Sequence, residues 1–143
     1  MRKIEIQQSG TSSYFTAENE KQMYKLAAEF IKHLRGGEVV ALQGDLGAGK
    51  TTFVKGIAQA LGIKKDVTSP TFVLMKVYPV KHEAIKSLVH IDAYRLSSGD
   101  ELLSLGVTDF ISKKDTITFI EWPERVHDIL PISTIWIKIE HGE

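Results

Sequence analysis

The sequence predicts an α/β fold in which helices cover both faces of a largely parallel central sheet, and three observations carry that reading. The apolar run Val39-Val40-Ala41-Leu42 leads into a glycine-rich turn and then a segment whose apolar residues recur at helical spacing. Leu88-Val89-His90-Ile91-Asp92 and Ile117-Thr118-Phe119-Ile120-Glu121 are two further apolar-rich runs, each ending in an acid. Short runs of this kind suit strands buried on both faces.

The turn itself is Gly44-Asp45-Leu46-Gly47-Ala48-Gly49-Lys50-Thr51, spaced G-x-x-x-x-G-K-T. The glycines let the backbone curl into a nest of N–H groups around phosphate oxygens, where Cβ atoms would block close approach. Lys50 then reaches the β- and γ-phosphates, Thr51 offers its hydroxyl to Mg²⁺, and the helix beginning there aims a partial positive charge at the same phosphates. Thr52 is placed for the α-phosphate. Four near-fixed positions match by chance in roughly one of a few hundred sequences of this size, and the context tightens those odds. Phe53, Val54, Ile57, Ala58 and Leu61 mark a helix that Gly62 stops, so strand, loop and helix follow in the required order. The expected architecture is a three-layer P-loop NTPase fold. The candidate nucleotide-binding residues are Gly44, Asp45, Gly47, Ala48, Gly49, Lys50, Thr51 and Thr52.

Composition bounds the rest. At 143 residues the chain is expected to form a single domain, 1–143. Lysine plus arginine equal aspartate plus glutamate at 18 each, so no overall basic field draws it to nucleic acid, and any RNA connection is expected to run through partners. There is no cysteine, no apolar run long enough to span a bilayer, and no signal-like pattern in Met1-Arg2-Lys3-Ile4-Glu5-Ile6. A cytoplasmic protein without membrane contact is expected.

From the start of the chain, Ile4, Ile6 and Gln8 alternate with polar residues as a short peripheral strand. Thr16 is the expected N-cap of a helix with Glu18 and Glu20 in its first turn. Met23, Leu26, Ala27, Phe30, Ile31 and Leu34 form one apolar face that should cover the following strand, and Gly36-Gly37 ends the helix. Beyond the loop helix, Pro70 biases Ser69 away from helix, and Val73, Met75 and Val77 alternate as a strand. Ser69-Pro70-Thr71 therefore sits at a strand mouth. It suits a segment that senses the γ-phosphate, with a solvated turn as the plainer reading.

Ligands gather beyond the carboxyl ends of strands in such sheets, so Asp92 and Glu121 point towards the loop. One should hold Mg²⁺ and the other orient or deprotonate the attacking water, unless either is merely a helix cap. His90 reads as a hydrogen-bonded core histidine, since the histidines lack metal-ligand spacing. Arg95 could face a phosphate or pair with an acid, and Trp122 could pack or line the nucleotide site. Ser112-Lys113-Lys114-Asp115 lacks the asparagine or threonine of a guanine-reading element. Pro123 opens a short helix expected over 124–129, and Thr134-Ile135-Trp136-Ile137-Lys138-Ile139 alternates as a last strand.

Taken together, Gly44-Asp45-Leu46-Gly47-Ala48-Gly49-Lys50-Thr51-Thr52, Ser69-Pro70-Thr71-Phe72, His90-Ile91-Asp92-Ala93-Tyr94-Arg95-Leu96 and Glu121-Trp122-Pro123-Glu124 resemble the TsaE family, small bacterial ATPases of tRNA threonylcarbamoyladenosine synthesis. The match spans nearly the whole chain. The resemblance implies an ATPase that uses ATP and Mg²⁺, joins TsaB and TsaD, and meets tRNA through that complex. It implies that Thr51 and Glu121 hold Mg²⁺, that Asp92 is catalytic beside Lys50, that Ser69-Pro70-Thr71 acts as a switch, and that Phe15 and Thr16 lie near the base. Many family members continue past the point matching His141-Gly142-Glu143.

The residues themselves lean the same way. Trp122-Pro123 makes a stiff corner that should hold Glu121 fixed, as a metal-positioning group requires, whereas nothing in Ala93-Tyr94-Arg95 locks the backbone after Asp92. Two other classes are open on sequence. A small-molecule P-loop kinase would need a lid, and no arginine-rich insertion offers one; a nucleotide-gated module without significant hydrolysis would keep the loop but not the acids.

Overall fold

The computed structural model describes the chain except Leu46, Lys65, Asp66, Ser112, Glu143 and the stretch 68–74. Among the described residues the elements run β1 (Arg2–Gln8), β2 (Thr11–Ala17), α1 (Glu20–Ile31), β3 (Val39–Gln43), α2 (Lys50–Ala60), β4 (Met75–Pro79), β5 (Ser87–Asp92), α3 (Gly99–Ser104), α4 (Thr108–Ile111), β6 (Thr116–Glu121) and β7 (Ile135–His141). The strands form one seven-stranded sheet in the order β2-β1-β7-β3-β6-β5-β4. Its middle, β7-β3-β6-β5, is parallel, while β1, β2 and β4 add antiparallel edges. Among the described residues no helix is long and apolar enough to cross a membrane.

Strand alternation sorts the core into two layers. Val40, Leu42, Leu88, Ile117, Phe119, Ile135 and Ile137 face α1 and α2, where Met23, Ala27, Phe30, Phe53 and Ile57 cover them. Val39, Val89, Ile91 and Ile120 face the other way, against Leu102 of α3 and Phe110 and Ile111 of α4. Phe53 sits between Phe30 and Phe119 at ring separations of 5.8 and 6.4 Å, joining α1, α2 and β6. This is the three-layer α/β arrangement expected from the apolar runs.

The start of α1 differs from expectation. Thr16 is not its cap: residues 11–17 form β2, which pairs with β1 across the two-residue turn Ser9-Gly10, both at positive φ. Asn19 caps the helix instead, accepting from Gln22 N at 2.9 Å, while Gln22 Oε1 accepts from Glu18 N at 2.7 Å. This is close to a reciprocal capping box. β2 escapes hydrophobic pattern reading because six of its seven residues are exposed on an edge strand. Leu34 is buried as expected, but just beyond the helix, which ends at Ile31.

The expected helix over 124–129 is two 3-10 turns, Pro123–Arg125 and His127–Ile129. Val126 interrupts them at φ −129°, its side chain buried in the second core layer. The end of the expected 73–77 strand is β4; its beginning lies outside the described residues, as does Ser69-Pro70-Thr71.

α1 and α2 approach closely at Gly56, where an added Cβ would lie 2.8 Å from Ala27 Cβ and 3.1 Å from Tyr24 Cα. Gly56→Val should therefore push the helices apart and destabilise the protein by about 1–3 kcal/mol. Chemical denaturation of the variant beside the wild type checks this, and unchanged stability would contradict the tight helix contact.

Candidate active site at the phosphate-binding loop

Strand register assembles the site. Leu42, one residue before the end of β3, pairs with Glu121 at the end of β6, and Glu121 pairs with Asp92 at the end of β5. The loop and both acids therefore leave the sheet side by side, at its carboxyl edge. β3 passes into Gly44, at φ +155°, where a Cβ would lie 2.5 Å from Ile139 O of β7; only glycine fits there. The loop closes with Ala48 N donating to Asp45 O at 3.0 Å, and Gly49 caps α2 in a left-handed conformation.

Lys50 opens α2 and folds back over the loop. Its Nζ donates to Gly44 O at 2.5 Å and lies 3.8 Å from the centre of the Trp122 ring. Burial lowers its pKa, and the charges of Glu121, Glu124, Asp92 and Asp45 act against that shift. The ammonium is thus held among acids and over an aromatic face. Trp122 is at φ +58°, a left-handed conformation uncommon for a bulky residue, and Tyr94 packs on it at a ring separation of 5.0 Å.

Thr51, next along α2, donates its hydroxyl to the Glu121 carboxylate at 3.2 Å to Oε2 and 3.4 Å to Oε1. Glu121 is buried, and His90 Nε2 lies 2.5 Å from its Oε2. The hydrogen-bonded core position expected for His90 is the one observed. Asp92 accepts from Tyr94 N at 3.0 Å, and Ala93 N donates to Glu121 O at 3.0 Å. The backbone after Asp92 is therefore held by a local turn, contrary to the expectation that nothing locks it. Arg95 is exposed.

A cavity of about 550 Å³ opens over these groups. Gly47, Gly49, Lys50, Thr51 and Thr52 form its floor, with Asp92, Glu121 and Trp122 along one side. Gly44, Asp45 and Ala48 lie on the far side of the loop, bordering a second cavity with Glu124 and Lys138. Phe15 and Thr16 do not line the phosphate-side cavity: they lie on β2 over a groove against α1. The opposite wall is built from the next residues, Ala17, Glu18, Asn19 and Glu20, together with Met23, Met1 and Arg2. The two-strand hairpin carries Phe15 and Thr16 outward and leaves the β2–α1 junction facing the loop.

Arg2 escaped sequence reading. Its guanidinium donates to Gly47 O at 3.2 Å and lies 2.6 Å from His141 Nδ1, bracing the loop against β7. No local pattern signals this, because the antiparallel pairing of β1 with β7 brings it there.

The oxygen donors suit Mg²⁺. A hydroxyl and a carboxylate already face each other at Thr51 and Glu121, with Asp92 on the adjacent strand end. Among the described residues no cluster of three or more His, Cys, Asp or Glu could cage a metal ion.

The family model described as threonylcarbamoyl adenosine biosynthesis protein TsaE matches residues 17–143. The tRNA threonylcarbamoyladenosine biosynthesis protein TsaE of Streptomyces coelicolor is 45% identical over 121 residues, covering 84% of this chain and 80% of the relative. The protein of the same name from Bacillus subtilis is 39% identical over 125 residues, covering 87% and 73%. The crystal structure of Bacillus subtilis YdiB superposes with a TM-score of 0.72 at 28% identity, over all of this chain and 80% of that one. The loop, the parallel strands β3, β5, β6 and β7 and both strand-end acids lie within residues 17–143, and the chain belongs to the TsaE family of threonylcarbamoyladenosine biosynthesis proteins.

Proposed function

We propose that this chain binds and hydrolyses MgATP in the tRNA threonylcarbamoyladenosine machinery, in the cytoplasm, slowly alone and productively with TsaB and TsaD. One observation carries the reading. The Thr51 hydroxyl at the mouth of the phosphate-binding loop meets the buried Glu121 carboxylate at 3.2 Å, and Asp92 lies opposite Glu121 in the strand register.

Each group then has a part. The loop N–H groups and the start of α2 receive the phosphates, and Lys50 leaves Gly44 O to pair with the β- and γ-phosphates. Thr51 and Glu121 would hold Mg²⁺, which would supply charge neutralisation at the phosphates. Asp92 orients the attacking water. Ala17 to Glu20 form the wall nearest the base, with Phe15 and Thr16 behind them on β2.

Dependence on partners follows from charge. Among the described residues lining the cavity, Arg2 and Lys50 are the cationic side chains, and Arg2 is engaged with Gly47 and His141. A transferring phosphoryl group spreads charge that one lysine and one metal ion stabilise incompletely, so a partner is needed to complete the site. The balanced net charge supports contact with tRNA through the complex rather than by this chain alone.

Three outcomes test the proposal. Lys50→Ala should weaken ATP binding by roughly ten- to a hundredfold or abolish turnover, because a charge-assisted hydrogen bond contributes about 1.5–3 kcal/mol. Near-wild-type hydrolysis by that variant would remove the reading. Asp92→Asn should keep MgATP affinity within a few fold while kcat falls about 10²- to 10⁴-fold, whereas Glu121→Ala should mainly lose the Mg²⁺-dependent part of binding. Titrations with and without Mg²⁺ separate the two, and the reverse pattern would exchange their roles. Finally, phosphate release should be slow alone and change on adding TsaB and TsaD. No association in co-elution under any nucleotide condition would sink the partnership.

A further inference from the structure

His90 has no part in the reaction just proposed, yet it is the most deeply placed polar group at the site. It is fully buried in β5, with Nε2 2.5 Å from Glu121 Oε2. Its other ring nitrogen, Nδ1, is buried and has no hydrogen-bond partner among the described residues. That asymmetry selects a tautomer. A proton on Nδ1 would strand a buried N–H and set the Nε2 lone pair against a carboxylate oxygen. A proton on Nε2 donates to Glu121 and leaves only a lone pair unmatched, the lesser cost.

The geometry gives that donor a direction. His90 precedes Asp92 by two residues and so shares its sheet face, and Asp92 lies opposite Glu121 in register. The imidazole therefore reaches the Glu121 carboxylate from the sheet, while the Thr51 hydroxyl reaches it from α2. A flexible glutamate gripped from both sides keeps one orientation.

We propose that His90 is a positioning residue: its Nε2–H holds the Glu121 carboxylate in the orientation in which Glu121 and Thr51 together receive the Mg²⁺ of the bound nucleotide. The inference rests on the MgATP reading above. His90 touches neither nucleotide nor ion and acts through Glu121, as groups behind metal-binding side chains do elsewhere, where their loss costs about 10- to 100-fold in metal affinity. A histidine that merely filled the core would supply the same volume, but its effect would not depend on the reach of a donor.

That difference is the test. In His90→Gln the side-chain amide can place an N–H near the position of Nε2; in His90→Asn it is too short to reach Glu121. ATP affinity is measured at equilibrium in Mg²⁺ and in EDTA for the wild type and both variants, with thermal melts alongside. The Mg²⁺-dependent gain in affinity should fall at least about tenfold in His90→Asn and return to within about threefold of wild type in His90→Gln, with EDTA affinities little changed. An undiminished gain in His90→Asn overturns the inference, and so does an equal loss in both variants, which would mark a volume effect. Long-range ¹H–¹⁵N spectra of the wild type need no variant to fold: they should show the His90 proton on Nε2, and a proton on Nδ1 overturns the inference. If the wild type shows no Mg²⁺-dependent ATP binding, the functional reading itself falls; if that binding persists undiminished in His90→Asn, only the role of His90 falls.

Discussion

A carboxylate taken out of water must find donors or lose its charge, and the buried carboxylate of Glu121 finds them on two elements that the chain supplies far apart. Thr51 offers a hydroxyl from the first turn of α2, and His90 a ring nitrogen from the middle of β5. β6 carries the acid between them. The contact thus couples α2, β5 and β6 at the edge where the phosphate-binding loop leaves β3, and a shift of any one element would uncover the charge. This is why the loop helix stands over the strand ends and not merely somewhere on the sheet.

Lys50 is governed by the opposite constraint. Burial disfavours its charge, four acids favour it, and a carbonyl and an indole face occupy the ammonium directly. The lysine is thereby held over the loop, and on the proposed reading phosphate oxygens would take the place of those two contacts. The left-handed backbone of Trp122 serves the same end, turning the chain after Glu121 so that the ring faces Lys50 and the acid keeps its place in the strand.

Much of this was legible from local spacing. The G-x-x-x-x-G-K-T loop, the strand before it and the helix after it are encoded by neighbours in sequence, because the loop conformation depends on glycine and the helix on a periodic apolar face. The two apolar runs ending in Asp92 and Glu121 announced parallel strands and their carboxyl ends. Where local pattern was weak, reading failed: β2 has an exposed edge without alternation, so Thr16 looked like a cap although Asn19 holds that role.

The sequence alone therefore determined the α/β class, the phosphate-binding loop, the order of its flanking elements and the placing of an acid at the end of each of two strands, since each depends on residues close together in the chain. Tertiary structure decided the rest. The pairing of β1 with β7 put Arg2 on the loop, the β1–β2 hairpin moved Phe15 and Thr16 away from the cavity and brought Ala17 to Glu20 to its wall, and the register of β5 with β6 set Asp92 opposite Glu121 with His90 behind it. The β1–β7 and β5–β6 pairings join residues tens of positions apart, and strand register, which no local periodicity specifies, is what brings them together.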